Sequence, residues 1–266
     1  MEQIETVVIG AGLAGLCAAR DLLKAGRQVV LVEAGDRVGG RTYSASFEAA
    51  GLTVDLGAEW VDPNQHQAMM QELARYEIDL EGTVSETLSQ GLAPKTGAAT
   101  WHSTVRACDR IAAQLNPRQP HWYEGFDQFD LPVTAFLESH SLDISDLSTF
   151  LAHGFALQGA HPDDYSMLNL LHEFASFGGV EAAFSGAESR IAGGAQSLSI
   201  AMANSLGSAL RLNCRVTRIA KIEGGVIVEG PAGQILAGQV IVALPLNVLS
   251  HVSLDIPLPA MAARVI

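Results

Sequence analysis

A chain of 266 residues with 48% hydrophobic and only 17% charged residues describes a globular protein of one or two domains with a sizeable core, not a disordered chain. A formal net charge of −13 argues against a nucleic-acid partner and against an anionic membrane surface, both of which call for a basic face. No apolar run is long enough to span a bilayer.

Thr6 to Ile9 form a short β-branched apolar run, as a buried parallel strand requires. Gly10-Ala11-Gly12-Leu13-Ala14-Gly15 follows, a G-x-G-x-x-G pattern, and Leu16 to Lys24 carry helical apolar spacing closed by Gly26. Gln28 to Val32 make a second strand with Glu33 at its end. Each part has a mechanical reason. Gly10 permits the tight turn, Gly12 lets the backbone approach a pyrophosphate, and Gly15 lets helix and strand pack closely. The helix N-terminus, with Ala14 in its first turn, offers N–H groups and a positive dipole end. Glu33 is placed to accept hydrogen bonds from a ribose. Strand, turn, helix and acid together predict a dinucleotide site.

Beyond Glu33, Gly39-Gly40-Arg41 makes a second place where backbone can lie against a phosphate, with an always-charged guanidinium beside it. A nicotinamide enzyme needs no such second loop. A helix is expected over Gln65 to Tyr76, with Met69, Met70, Leu73 and Ala74 on one core-facing side. Residues 81–187 read as mainly helical, with helices at Ser103 to Leu115, Val133 to Glu138, Ser145 to Leu157 and Tyr165 to Phe177. A helix over Ala195 to Leu206 follows, then strand-like runs at Leu210 to Ile219 and Val226 to Glu229. Gly224-Gly225 is a hairpin signal between them, and Gln239 to Ala243 is the last strand. The eight histidines are scattered, with no pair at i, i+4. Cys17, Cys108 and Cys214 lack ligand spacing and read as buried thiols, so no metal site is predicted. No G-x-S-x-G elbow of a serine hydrolase occurs.

Glu33 followed by Asp36-Arg37-Val38-Gly39-Gly40-Arg41 resembles the flavin-containing amine oxidoreductase family. Asp55-Leu56-Gly57-Ala58-Glu59-Trp60-Val61 is similar to that family's G-A-x-W segment, which runs past the flavin ring. Arg190-Ile191-Ala192-Gly193-Gly194 through Leu198 is similar to its R-x-x-G-G segment, and Val240 to Pro245 to its late strand. Cys214 to Ile219 resembles the strand whose valine, here Val216, meets the adenine through its backbone. The resemblance implies an α/β fold: a Rossmann-like FAD-binding domain in two segments, 1–80 and 188–250. A mainly helical substrate domain, 81–187 with 251–266, is inserted in it. It implies FAD held by Gly10, Gly12, Ala14, Gly15, Glu33, Gly40, Arg41, Gly57, Ala58, Trp60 and Val216.

The implied reaction is oxidation of an amine to an imine, with hydride transfer to the flavin and reoxidation by O2 to hydrogen peroxide. Glu59 and Trp60 are candidates near the reaction centre, and no catalytic base or lysine is identifiable. The family's later lysine, aromatic cage and final glycine-rich segment have no counterpart here. The resemblance therefore implies a truncated or split form completed by a second chain or a homo-oligomer. Two alternatives stay open: the same FAD fold with another reaction, as in protoporphyrinogen oxidases or carotene desaturases, and a non-enzymatic FAD-binding remnant or subunit. The chain enters its first strand almost at once, leaving no room for a signal peptide, which makes the cytoplasm the expected compartment.

Overall fold

The computed structural model describes residues 1–81, 98–140, 148–185 and 189–256. The chain divides into two compact units, Met1–Gly82 with Ser189–Ile266, and Thr83–Glu188.

The first unit is built on a seven-stranded mixed sheet. β1 (Glu2–Ile9) leads through a glycine turn into α1 (Leu13–Lys24) and then β2 (Val29–Val32), which pairs parallel with β1. Val7, Ile9, Val30 and Val32 pack on one sheet face, and Val8, Val29 and Leu31 pack with Leu16 and Ala19 of α1 on the other. Burial on both faces is why these strands are uninterruptedly apolar rather than alternating. Removing each such side chain from water contributes about 1.5–3 kcal/mol. Gly15 is fixed by packing: a Cβ there would sit 1.9 Å from the Gly10 carbonyl oxygen.

After β2 the chain makes a hairpin that the sequence did not announce, β3 (Ser44–Phe47) with β4 (Leu52–Asp55). Its register places Ser44, Ser46, Thr53 and Asp55 on one face and Ala45, Phe47, Leu52 and Val54 on the other. The polar face holds the hairpin to the unit: the Ala195 and Gln196 N–H groups donate to Asp55 and Ser44 respectively. The apolar face looks into water, with Phe47 and Leu52 more than half exposed. β5 (Trp60–Val61) follows, then α2 (Gln67–Arg75) and β6 (Leu80–Glu81). Arg20 of α1 is buried and forms a bidentate pair with Glu72 of α2. Burial opposes the charge on Arg20, but hydrogen bonds to Glu72 and Asp21 outweigh it and raise its pKa.

The second unit is helical: α3 (Ala98–Ala112), α4 (Val133–Ser139), α5 (Ser148–Gln158), α6 (Met167–Phe177) and α7 (Val180–Ser185). Its core is aromatic and aliphatic, with Trp101, Phe136, Phe150, Leu170, Leu171 and Phe174 all nearly inaccessible to water. Phe150 meets Trp101 and Phe174 edge to face at 6.2 Å in each case. The Ser166 hydroxyl caps α6 by accepting from the Leu168 N–H, and Gly178 ends it at φ +87. The helix expected from Ser103 starts earlier, at Ala98. The helix expected from Tyr165 starts at Met167, because the Ser166 cap sets the boundary. Of the helix expected from Ser145, residues 145–147 lie outside the described residues.

The chain returns to the first unit through β7 (Ser189–Ile191), α8 (Gln196–Asn204) and β8 (Leu210–Arg211). β9 (Arg218–Ile222), β10 (Gly225–Gly230) and β11 (Gly233–Val242) then form an antiparallel meander. The far edge of the meander, β11, lies parallel to β1. The sheet order is β12-β9-β10-β11-β1-β2-β8, where β12 is Ser253–Asp255. The single strand expected over Leu210 to Ile219 is thus two strands. Asn213 takes a left-handed φ of 56°, and its N–H donates to the Gly35 carbonyl, turning the chain out of the sheet between them. β12 pairs with β9, and Val252 and Leu254 join the apolar cluster around Ile219. Residues 251–256 therefore lie in the first unit and not in the helical one to which 251–266 was assigned. Residues 257–266 lie outside the described residues.

Candidate functional site

The glycine turn, the second glycine loop and the Gly57–Trp60 segment meet along the amino end of α1. Gly12 caps that helix at φ −74, an ordinary backbone conformation, and a Cβ on it would touch nothing within 4 Å. Neither strain nor packing asks for glycine there, so the open space above it is the reason for the residue. No side chain caps α1, and the N–H groups of Ala14 and Gly15 have no partner among the described residues. Such a helix end favours an anion.

The second loop is bound to the first by backbone. The Gly39 N–H donates to the Ala11 carbonyl at 2.8 Å, and Gly39 bridges Gly12, while a Cβ on Gly40 would lie 3.6 Å from the Gly12 Cα. Arg37, which sequence reasoning did not single out, shapes this loop. Its guanidinium donates to the Gly40 carbonyl at 2.8 Å and lies 4.4 Å over the Tyr43 ring. Gln196 donates to the Val38 carbonyl at 2.8 Å and accepts from the Ser44 N–H, bracing the loop from α8. Arg41 is exposed, and its guanidinium has no hydrogen bond or ion pair among the described residues. Its carbonyl accepts from the Ala58 N–H at 3.0 Å, so the loop and the Gly57–Trp60 segment are joined. A Cβ on Gly57 would sit 2.0 Å from that same carbonyl oxygen.

At the other end, the Glu33 carboxylate accepts from the Ala11 N–H at 2.8 Å and from the Gly35 N–H at 2.9 Å. Each oxygen keeps acceptor capacity for a hydroxyl. The Cys214 N–H donates to the Glu33 carbonyl, which brings the 212–217 connection alongside. Val216, in that connection, is half-buried, and neither its N–H nor its C=O has a partner among the described residues. A strip thus runs from Val216 and Glu33, past Gly12, Ala14 and Gly40, to Arg41, Ala58, Glu59 and Trp60. Beside its last part is a small cleft lined by Leu13, Thr42, Ala58, Glu59, Trp60 and Met69.

The strip's chemistry suits FAD: open space above Gly12, N–H groups of Ala14 and Gly15 and an Arg41 guanidinium that have no partner among the described residues, and a backbone edge at Val216 equally without one among them. The family model described as Flavin containing amine oxidoreductase matches residues 13–266. The chain belongs to that family. FAD is the family's cofactor. The putrescine oxidase of Kocuria rosea is 32% identical over 97% of this chain and 60% of that protein. The L-amino acid dehydrogenase of Synechocystis is 26% identical over 97% of this chain and 59% of that one. Among solved structures, putrescine oxidase bound to putrescine superposes with a TM-score of 0.81 at 27% identity, covering 98% of this chain and 62% of that one. Cyclohexylamine oxidase from Brevibacterium oxydans, at 20% identity and a TM-score of 0.82, covers 98% of this chain and 62% of that one and shares the fold. The chain spans about 60% of the length of the curated relatives it matches.

Among the candidate residues, Gly10, Gly15 and Gly57 each lie where a Cβ would meet a backbone carbonyl oxygen, of Ala243, Gly10 and Arg41 respectively, whereas Gly12 has open space above it. The residues that sequence reasoning missed are Arg37, Gln196 and Asp55. Gln196 stands far from the second glycine loop in sequence and reaches it only through the fold, whereas Asp55 lies just before the Gly57–Trp60 segment and is tied to Ala195 by the fold.

Proposed function

We propose that this chain forms the FAD-binding part of a flavin-dependent amine oxidase, and the observation that carries the reading is the open space above Gly12 beside the free N–H groups of α1. The first unit is the FAD-binding domain, and the helical unit belongs to the substrate domain. Glu33 binds the ribose hydroxyls, and the Val216 backbone faces the adenine. Gly12, Ala14, Gly15 and Gly40 present N–H groups or bare Cα atoms to the pyrophosphate, and Arg41 adds a positive charge. Gly57, Ala58, Glu59 and Trp60 form the ring end, where the cleft excludes water. When bound, the flavin supplies the redox chemistry, accepting a hydride from the carbon beside an amine nitrogen. The substrate is a small amine, as the putrescine oxidase similarity supports. O2 is the proposed acceptor, although both oxidases and dehydrogenases occur among the relatives. The cytoplasm as compartment, and a second polypeptide or second copy as partner, belong to the same reading.

Gly12→Ala tests it. Because the new methyl meets no protein atom, stability stays within about 1 kcal/mol of the parent. The FAD dissociation constant rises by about tenfold or more, read by titration calorimetry. A parent chain that binds no FAD, or a variant that binds it equally well, sinks the reading.

A further inference from the structure

One group of charges at the ring end is not explained by nucleotide binding. The Asp55 side chain is wholly buried. One of its oxygens accepts from the Ser44 hydroxyl and from the Ala195 N–H, while the other has no hydrogen bond and lies 3.9 Å from an Arg190 terminal nitrogen. Arg190 belongs to β7, where it is the antiparallel partner of Trp60. Its Nε lies 3.2 Å from a Glu59 carboxylate oxygen. That contact is an ion pair without hydrogen-bond geometry, since Nε is a buried atom with no hydrogen-bond partner. One guanidinium therefore stands between two carboxylates, one fully buried and one at the edge of the cleft.

Resting on the FAD reading, we propose that Arg190 is a positioning residue for the flavin-ring end of the site: anchored by Asp55, it holds the Glu59 carboxylate on the strand side, at the edge of the cleft and not across it beside Ala58 and Trp60. Three physical points carry this. First, Asp55 cannot move, because the hairpin and α8 both bond to it, so it is a fixed anchor for a cation. Second, Trp60 and Arg190 are paired backbone to backbone, so a displacement of the guanidinium is felt at the tryptophan. Third, without Arg190 two carboxylates four residues apart would share a partly desolvated corner. The one free to move is Glu59, and the space open to it is the cleft. It follows that the Glu59 charge is already matched within the protein and is not a spare counter-ion for an ammonium substrate.

The experiment compares FAD with ADP, which shares the adenosine and pyrophosphate end but carries no ring. Both are titrated calorimetrically into the parent chain, Arg190→Met and Arg190→Lys, and the visible absorption and fluorescence of bound flavin are recorded. Arg190→Met is expected to weaken FAD about tenfold while ADP affinity changes less than about twofold. The bound flavin should become more fluorescent, as its ring is less well held. Arg190→Lys, which keeps the charge, should recover most of the loss. Equal FAD affinity and an unchanged spectrum in Arg190→Met overturn the proposal. Loss of ADP along with FAD overturns it too, because Arg190 would then be holding up the unit as a whole. A parent chain that binds ADP and not FAD refutes the ring-end role alone, whereas one that binds neither refutes the nucleotide site on which it rests.

Discussion

The two units of this chain are specified by opposite means. In the first, the decisive positions are those where side chain is missing or where backbone is tied: Gly15 against the Gly10 carbonyl, Gly39 to Ala11, Ala58 to Arg41, Cys214 to Glu33. In the second, they are the bulkiest side chains, Trp101, Phe136, Phe150 and Phe174, which share one interior, with Phe150 edge to face against Trp101 and Phe174. A unit that must bring its backbone close to a ligand uses small residues and hydrogen bonds at that place. A unit whose helices need only a common interior uses volume. The same kind of substitution should therefore have different consequences in each.

The largest effect is expected from the helical unit. Phe174→Ala leaves a cavity in a closed core and should cost about 3–5 kcal/mol, measured by chemical denaturation. Near-UV circular dichroism should show the loss of fixed aromatic packing while ADP affinity is kept. Loss of ADP binding as well would break the comparison. Next is Gly15→Ala, in which a single methyl group collides with backbone that cannot yield. We expect a loss of about 1–3 kcal/mol in thermal unfolding together with loss of nucleotide affinity. This contrasts with Gly12→Ala, where the methyl costs only affinity. If the two alanine variants behaved alike, glycine at these positions would serve one purpose and not two.

The smallest effect is a pH dependence of the helical unit. His153 stacks on Phe184 with ring centroids 5.1 Å apart, and burial pushes its pKa below the usual imidazole value. The unfolded chain then takes up this proton before the folded one does. Stability is full above the unfolded pKa of about 6.5 and declines as pH falls from there toward the lowered folded value. Melting temperatures across that window should fall less in His153→Phe than in the parent. A parallel fall in both would remove His153 from the account.

How much of this was legible in the sequence follows the range of the interactions. The β1–turn–α1–β2–Glu33 run is local in sequence, with Gly15 packed on the Gly10 carbonyl, so the pattern could be read directly, although the packing of Gly10 on Ala243 could not. The break at Asn213 had a signal, since Asn is the residue most ready to adopt a left-handed φ, but it lay inside an otherwise strand-like run. The β3–β4 hairpin alternates correctly, S-A-S-F against L-T-V-D, yet its apolar side faces outward, so the pattern did not mark a core strand. The early part of β11, Gly233 to Gly238, was hidden by its glycines, although both of its neighbours in the sheet hold it. The Asp55–Arg190–Glu59 group joins two neighbouring carboxylates to an arginine far along the chain, and no spacing rule could have found it. The packing of Gln196 and Ser199 against the second glycine loop is equally long-range.

The outward side of that hairpin bears on how the chain behaves at high concentration. An acidic molecule with a charge of −13 repels its neighbours at low ionic strength, where the screening length is long. The ribbon works the other way: no third strand joins it among the described residues, and it carries an exposed stripe of Phe47, Leu52 and Val54 that does not depend on charge. Added salt silences the repulsion and leaves the stripe untouched, and sulfate or phosphate strengthens its tendency to hide. Dilute, low-salt buffer at neutral pH thus opposes contact between such stripes, and concentrated salt removes that opposition.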